Sequence, residues 1–184
     1  MSNSNIWDNA HDGILQAINT YNDISDIDII IRMVNRAEEQ LIILLKLKLV
    51  PSIAAKDDLL EGIDATIITF SSKIELAFRL GLLNEALYKD LLIIRKIRQL
   101  FALDNLNCSY SKDVVKARID EFNTHPDRMP LYNFINNING QQAQPRAVFI
   151  FVALKILDYL EKLQGSIVTL RYEQETGPHS LGNV

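Results

Sequence analysis

The stretch from Ile67 to Asp104 constrains the fold of this chain more than any other part. It reads IITFSSKIELAFRLGLLNEALYKDLLIIRKIRQLFALD, and its apolar residues recur every three or four positions on both sides of Gly81. This spacing predicts two helices, because residues three and four apart lie on one side of a helix. Gly81 suits the left-handed position that ends a helix, and Asn84 suits the cap that begins the next. The linker is short, so the two helices are expected to form an antiparallel hairpin.

The remaining apolar patterns also favour helices over strands. Prolines and polar residues punctuate Asn123–Pro145, which is predicted to be a long loop with one helical turn around Leu131–Ile138. The segment Ile167–Arg171 either extends the last helix or packs loosely. The predicted helices run over Ile29–Leu49, from Ala65 to Gly81, from Asn84 to Phe101, over Lys112–Phe122, and over Arg146–Leu163, with Pro51 and Gly165 closing the first and the last.

Length and composition predict one helical domain. The chain has 184 residues, of which 48% are apolar, with only 7 glycines and 5 prolines, so it can bury a proper core. We predict an all-α, single-domain helical bundle with a central antiparallel helix hairpin. Residues 23–172 would form it, with a polar N-terminal segment at 1–22 and a flexible tail at 173–184. The predicted core includes Leu41, Leu44, Ile74, Phe78, Leu91, Ile94 and Phe101.

Charge and cysteine content exclude several classes of function. The net charge is −4, so the chain as a whole does not attract nucleic acid or an anionic membrane. The segment Lys89–Arg118 is locally basic, with seven basic residues against three acidic ones. A single cysteine, Cys108, leaves neither a disulfide nor a zinc cluster. We expect no metal and no cofactor, since the histidines, His11, His125 and His179, fall in predicted loops or tails.

The N-terminus and the apolar runs predict the cellular location. The first residues, MSNSNIWDNAHDG, contain neither a basic segment nor an apolar one, unlike a signal peptide. Lysines interrupt the most apolar runs, Leu41–Val50 and Ala147–Leu157, and both are shorter than the ~20 residues of a membrane span. The protein is therefore expected to be cytoplasmic, with no membrane partner.

Two sequence motifs resemble those of a known family. The first is KIELAFRLGL over Lys73–Leu82, and the second is DLLIIRKIRQLFAL over Asp90–Leu103. This pair is similar to the mannitol operon repressor family of bacterial regulators, whose second motif has the form Asp-Leu-x-x-Ile-Arg-x-x-Arg-Asn-x-Phe-Ala-His. Gln99 replaces the usual Asn, and Leu103 replaces the usual His. The resemblance implies a helical fold and a role in regulating transcription of sugar-alcohol uptake genes.

The second motif also resembles the wider HEPN group of helical proteins. Ribonucleases of that group use an Arg and a His five residues apart, and a histidine can exchange protons near neutral pH. Leu103 cannot do so. The chain is therefore predicted not to be an enzyme and to have no catalytic residue. Two alternatives stay open: a degenerate HEPN-type RNA-binding protein or ribonuclease, with Arg98 stabilising a phosphate, and an antitoxin-like binder.

The candidate site residues are basic or polar and come from these two motifs. Arg95 and Arg98 lie three apart and therefore project from one face of the helix. They would bind a partner or an anion, together with Lys73 and Gln99. The structural alternative is that at least one arginine contacts a carboxylate of another helix, with Glu38, Glu39 and Glu75 available. We expect a protein partner and only weak DNA binding by the chain alone, and we leave homo-oligomerisation open.

Overall fold

The predicted all-α class is confirmed. A computed structural model describes residues 16, 20–53, 57–62, 64–104, 108–124 and 144–176, with side chains described up to residue 167. The elements within these ranges are all helices that pack against one another. They are α1 (Asp26–Lys48), α2 (Phe70–Arg79), α3 (Glu85–Leu103), α4 (Asp113–Ile119) and α5 (Pro145–Thr176). None of these described helices combines the length and apolar character needed to cross a membrane.

The helices are shared between two compact units. The first unit comprises Met1–Val34 and Ile93–Lys155, and the second comprises Asn35–Leu92 and Ile156–Val184. Helices α1, α3 and α5 each contribute residues to both units, whereas α2 belongs to the second and α4 to the first.

The turn between α2 and α3 has the predicted geometry. Gly81 has a φ of 71°, its N–H donates to Phe78 O at 2.9 Å, and the Leu82 N–H donates to Ala77 O at 3.0 Å. These two hydrogen bonds satisfy carbonyl groups that the end of a helix leaves open, and the positive φ explains the glycine. Asn84 then caps α3, because its Oδ1 accepts the Leu87 N–H at 2.9 Å.

Side-chain contacts near this turn hold α2 and α3 together. The rings of Phe78 and Tyr88 stack with their centroids 4.2 Å apart. The Tyr88 hydroxyl also donates to Glu75 at 2.9 Å, and this hydrogen bond raises the pKa of Tyr88. These contacts join the last turns of α2 to the first turn of α3, as the predicted antiparallel hairpin requires.

The predicted start of α2 near Ala65 is wrong. The helix begins at Phe70, after Thr69, whose Oγ1 accepts the Ser72 N–H at 3.0 Å while Ser72 Oγ accepts the Thr69 N–H at 3.1 Å. The preceding backbone is engaged elsewhere, since the Ile67 N–H donates to Leu59 O at 2.8 Å. A reciprocal cap and a competing turn therefore set the boundary, although the apolar spacing extends beyond it.

Gly165 does not close the last helix, contrary to the prediction. Helix α5 continues through it to Thr176, and apart from the glycine, its chain neighbours and the local helix backbone, no atom of the described residues lies within 4 Å of the position a Cβ would occupy there. The residue before it, Gln164, donates from its side chain to the side chain and backbone of Gln40. Tertiary context can override the roughly 1 kcal/mol by which glycine weakens a helix interior. The alternative in which Ile167–Arg171 extends the helix is the one observed.

Other boundaries differ from prediction by a few residues. Helix α1 begins three residues earlier than Ile29 and ends one residue before Leu49. Helix α4 is shorter than the predicted Lys112–Phe122. The predicted helical turn at Leu131–Ile138, most of the predicted loop around it, residues 1–15 and residues 177–184 lie outside the described residues.

Six of the seven predicted core residues are buried, and Phe78 is half-buried. In the second unit the buried residues include Leu41, Leu44, Ile74 and Leu91. In the first unit an aromatic cluster surrounds Phe149: its ring centroid lies 4.8 Å from that of Tyr110, and the Phe101 centroid lies 5.1 Å from Tyr110. Helix α5 is buried on all sides over six consecutive residues, from Val148 to Ala153, which accounts for its lack of an amphipathic pattern.

The Tyr110 hydroxyl offers a first prediction about stability. Tyr110 is 1% exposed, and its hydroxyl is buried with no hydrogen-bond partner in the described part of the chain. An unsatisfied buried polar group destabilises the folded state by about 1–3 kcal/mol. Tyr110→Phe removes the hydroxyl and keeps the ring. We therefore expect it to raise the free energy of unfolding at pH 7 by about 1 kcal/mol, measured by urea denaturation.

The same variant should alter the response to alkali. Burial raises the pKa of the Tyr110 phenol well above its ordinary value, so above pH ~10 the unfolded chain loses this proton while the folded chain keeps it. Stability should thus fall as the pH rises above ~10, and less steeply in Tyr110→Phe. Tyr159→Phe is the matched control, because Tyr159 is 41% exposed. A destabilised Tyr110→Phe protein would contradict this prediction.

Candidate functional site

The last turns of α3 expose two basic side chains together with polar and apolar neighbours. These residues belong to the first compact unit, and Leu103 is 82% exposed. Residues three, four or seven apart lie on one side of a helix. Arg98 and Ala102 therefore form one row along α3, and Lys96 and Leu103 form a second row. We call the surface the α3 basic face and define it as Lys96, Arg98, Gln99, Ala102 and Leu103, all of which are exposed.

The charge of this face is not balanced by nearby acids on the same helix. Helix α3 contains no acidic residue between Asp90 and its end at Leu103. Among the residues that the structure describes, no carboxylate forms an ion pair with Lys96 or Arg98. Within those residues, neither cation is neutralised by an ion pair. Arginine is suited to anion binding because its planar guanidinium binds carboxylate and phosphate groups with two parallel hydrogen bonds.

Arg95 differs from Arg98 although both come from one motif. Arg95 is half-buried and takes part in an interaction within the chain, whereas Arg98 is exposed. The predicted contact between one of these arginines and a carboxylate of another helix is not seen for Arg98 among the described residues. For Arg95 it stays a prediction. Two of the three proposed acids have other partners: Glu38 binds Lys73, and Glu75 lies 3.9 Å from Arg79.

Lys73 lies in the second unit and is occupied by a contact within it. Its side chain is 5% exposed, and its Nζ lies 2.7 Å from Glu38 Oε1 and 2.8 Å from Ile68 O. These bonds join α2 to α1 and to the backbone just before α2. Of the predicted site residues, Arg98 and Gln99 share one exposed face, Arg95 is half-buried on the same helix, and Lys73 is buried in the other unit.

The rest of the basic segment Lys89–Arg118 is partly neutralised. Lys89 Nζ lies 2.6 Å from Glu85, and Arg118 lies 2.6 Å from Glu121, both on neighbouring turns. Lys112 pairs with Asp104, which joins the beginning of α4 to the end of α3. These pairs are ordinary surface contacts, and exposed ion pairs contribute little to stability. Apart from Arg95, the cations of the segment for which no ion pair is seen among the described residues are Lys96, Arg98 and Lys116, and all three are exposed.

The polar side chains of the α3 basic face suit anion binding more than proton transfer. Gln99 and Leu103 carry no titratable group, and arginine stays protonated in proteins. Cys108 is half-buried, and burial raises the pKa of its thiol, which lowers the thiolate fraction needed for nucleophilic attack. Within the described ranges, no group of three or more His, Cys, Asp or Glu side chains is placed to hold a metal ion. The three histidines, His11, His125 and His179, lie outside those ranges.

Sequence reasoning selected Arg98 and Gln99 but not their exposed neighbours. In the sequence, Leu103 stands out only as a replacement for histidine, and Ala102 is not among the predicted site residues. An apolar residue at the end of a stripe is usually assigned to the core, and no local signal in the sequence marks Leu103 as exposed. Comparison with family models, curated proteins and solved structures finds no match to this chain.

Proposed function

We propose that this chain is a cytoplasmic, non-catalytic regulator of the mannitol operon repressor type. In this proposal it controls genes for sugar-alcohol uptake by binding a protein partner, and it does not read DNA alone. The proposal is supported by the two motifs that resemble that family, Lys73–Leu82 and Asp90–Leu103. They contain Gly81 of the α2–α3 turn and the whole α3 basic face.

The observation that supports a binding role most directly is the composition of the α3 basic face. It combines two exposed cations, an exposed amide and an 82% exposed leucine on one short segment of a rigid helix. Protein interfaces are enriched in arginine and contain apolar surface within a polar rim. No groove-reading helix pair, zinc finger or basic arm is found in the sequence to support sequence-specific DNA binding.

A reporter experiment tests the regulatory role. The experiment uses a bacterial strain with a reporter gene under the promoter of its sugar-alcohol uptake operon. The reporter signal is compared between cells that carry the gene for this chain and cells that lack it. We expect production of the chain to lower the reporter signal several-fold, and to leave a reporter under an unrelated promoter unchanged. Equal signals with and without the chain would contradict the proposal.

A DNA-binding experiment tests the dependence on a partner. The purified chain is titrated onto the same promoter fragment and onto unrelated DNA of equal length, at a series of salt concentrations. We expect weak binding without preference for the promoter, because the net charge is −4 and the positive surface is small. Tight, selective binding with a steep dependence on salt would instead assign the DNA contact to this chain.

A further inference from the structure

We infer that the α3 basic face is the docking surface for an acidic amphipathic helix of a protein partner. Leu103 and Ala102 would contact an aliphatic side chain of that helix, and Lys96 and Arg98 would bind its carboxylates. This inference rests on the proposed function and gives the chemical class of the partner.

The spacing of the face defines the pattern that the partner must present. Arg98 and Ala102 lie one turn apart, about 6 Å along the helix axis, and Lys96 and Leu103 lie two turns apart, about 10 Å. In both rows the cation is nearer the middle of α3 and the apolar residue is nearer its end. A partner helix fits this face if one of its sides presents two pairs of an aliphatic residue and a glutamate. The members of one pair lie one turn apart, to contact Ala102 and Arg98, and those of the other lie two turns apart, to contact Leu103 and Lys96. Helices recognised in this way present their contacts at positions three, four and seven apart.

The apolar part of the face favours a protein over a nucleic acid. Binding sites for single-stranded nucleic acid combine cations with aromatic side chains on which bases stack. The α3 basic face has no aromatic residue, and it presents Leu103 and Ala102 beside its cations.

The charge of the face also disfavours a second copy of the same surface as the partner. In a two-fold symmetric dimer the same patch faces itself. Lys96 and Arg98 of one copy would then lie against the cations of the other, without an acid on either surface to separate them. An acidic partner removes this repulsion, and complementary charge increases both the association rate and the specificity of binding.

The test uses a defined peptide and the full-length chain. The probe is a labelled synthetic helical peptide of about 18 residues, with leucines and glutamates at the spacing described above, and its binding is measured by fluorescence anisotropy. Two comparison ligands are the same peptide with glutamines for glutamates and a single-stranded RNA of equal length. We expect the acidic peptide to bind at least about tenfold more tightly than either.

Variants locate the binding surface. The double variant Lys96→Glu/Arg98→Glu should weaken acidic peptide binding at least about tenfold, and Leu103→Ala should weaken it several-fold. The matched controls are Arg36→Glu/Lys48→Glu, which changes the net charge equally at exposed positions of α1, and Ile43→Ala, which truncates a residue 42% exposed. Neither control should change the affinity. Thermal unfolding of every variant checks that the fold is kept.

Four results of the binding experiment would overturn the inference: no binding of the acidic peptide, undiminished binding by Lys96→Glu/Arg98→Glu, equal loss of binding in the α1 controls, or tighter binding of the RNA. The reporter experiment separates these failures from failure of the proposed function. If the wild-type chain and Lys96→Glu/Arg98→Glu repress the reporter equally, the proposed regulatory function is supported and the inferred docking surface is wrong. If the wild-type chain has no effect on the reporter, the proposed function fails whatever the peptide does.

Discussion

Truncation of Phe101 to alanine is expected to lower the free energy of unfolding by about 3–5 kcal/mol. Phe101 is 2% exposed, and its ring lies 5.1 Å from that of Tyr110, which in turn stacks on Phe149. Removing the ring deletes buried apolar surface. It also leaves a cavity between residues that are held by several elements and cannot collapse fully, so the cost exceeds that of transfer to water alone.

The control for this prediction lies two residues further along the same helix. Leu103 is 82% exposed, so Leu103→Ala should change the free energy of unfolding by no more than about 0.5 kcal/mol. Urea denaturation of both variants measures the difference. A loss below ~1 kcal/mol in Phe101→Ala would mean that the aromatic cluster does not stabilise the first unit. The same Leu103 variant shows whether its effect on peptide binding is separate from any effect on stability.

The hairpin could be predicted because its determinants are local. A glycine at φ 71° after α2 and an asparagine cap before α3 act within a few residues of the chain. Short-range steric and hydrogen-bonding rules therefore suffice to find the turn. Phe101 could be predicted as a core residue for a similar reason, since its position follows from the helical period of its neighbours.

The differences from prediction arise where distant residues meet. Helix α5 continues past Gly165 beside a hydrogen bond between Gln164 and Gln40. Arg146 binds Asp26 at 3.1 Å and donates to the carbonyl oxygens of Tyr21 and Ile24 at 2.7 and 2.6 Å, across more than 110 residues of sequence. No periodicity or spacing in the sequence specifies such pairs. This network fixes the segment before α1 to the start of α5.

The candidate site was predicted only in part, also for a physical reason. Arg95 and Arg98 look equivalent in the sequence, because both follow the same apolar stripe at helical spacing. A rotation of about 60° around the helix separates them, and it leaves one half-buried and the other exposed. The neighbouring elements determine which arginine is covered, and that information is absent from the local pattern.

Removing the charge of Glu38 should destabilise the protein more than removing the charge of Lys73. Lys73 is 5% exposed at its side chain, whereas Glu38 is 24% exposed. Glu38→Gln leaves a buried ammonium group with only the Ile68 carbonyl oxygen and a weaker amide acceptor. Breaking a fully buried ion pair in this way costs roughly 3–5 kcal/mol, and the partial exposure of Glu38 lowers our expectation to about 2–4 kcal/mol.

Lys73→Met removes the buried charge itself and keeps a long apolar side chain. The remaining Glu38 carboxylate can take up water, and the Ile68 carbonyl belongs to a residue that is 46% exposed. We therefore expect a loss of less than about 1 kcal/mol, because replacing a buried ion by an apolar group is often nearly neutral. Urea denaturation of both single variants and of the double variant gives the coupling energy directly.

The same variants decide whether Lys73 belongs to the binding site. If its role is to hold α2 against α1, Lys73→Met should leave acidic peptide binding at the α3 basic face unchanged, while Glu38→Gln lowers stability. Equal destabilisation by the two variants would contradict the expectation that an unpaired Lys73 ammonium costs more than an unpaired Glu38 carboxylate. If Lys73→Met keeps its stability but loses peptide binding, Lys73 instead belongs to the partner site. Unfolding cannot explain such a loss, which leaves a direct contact or a specific change in the α3 basic face.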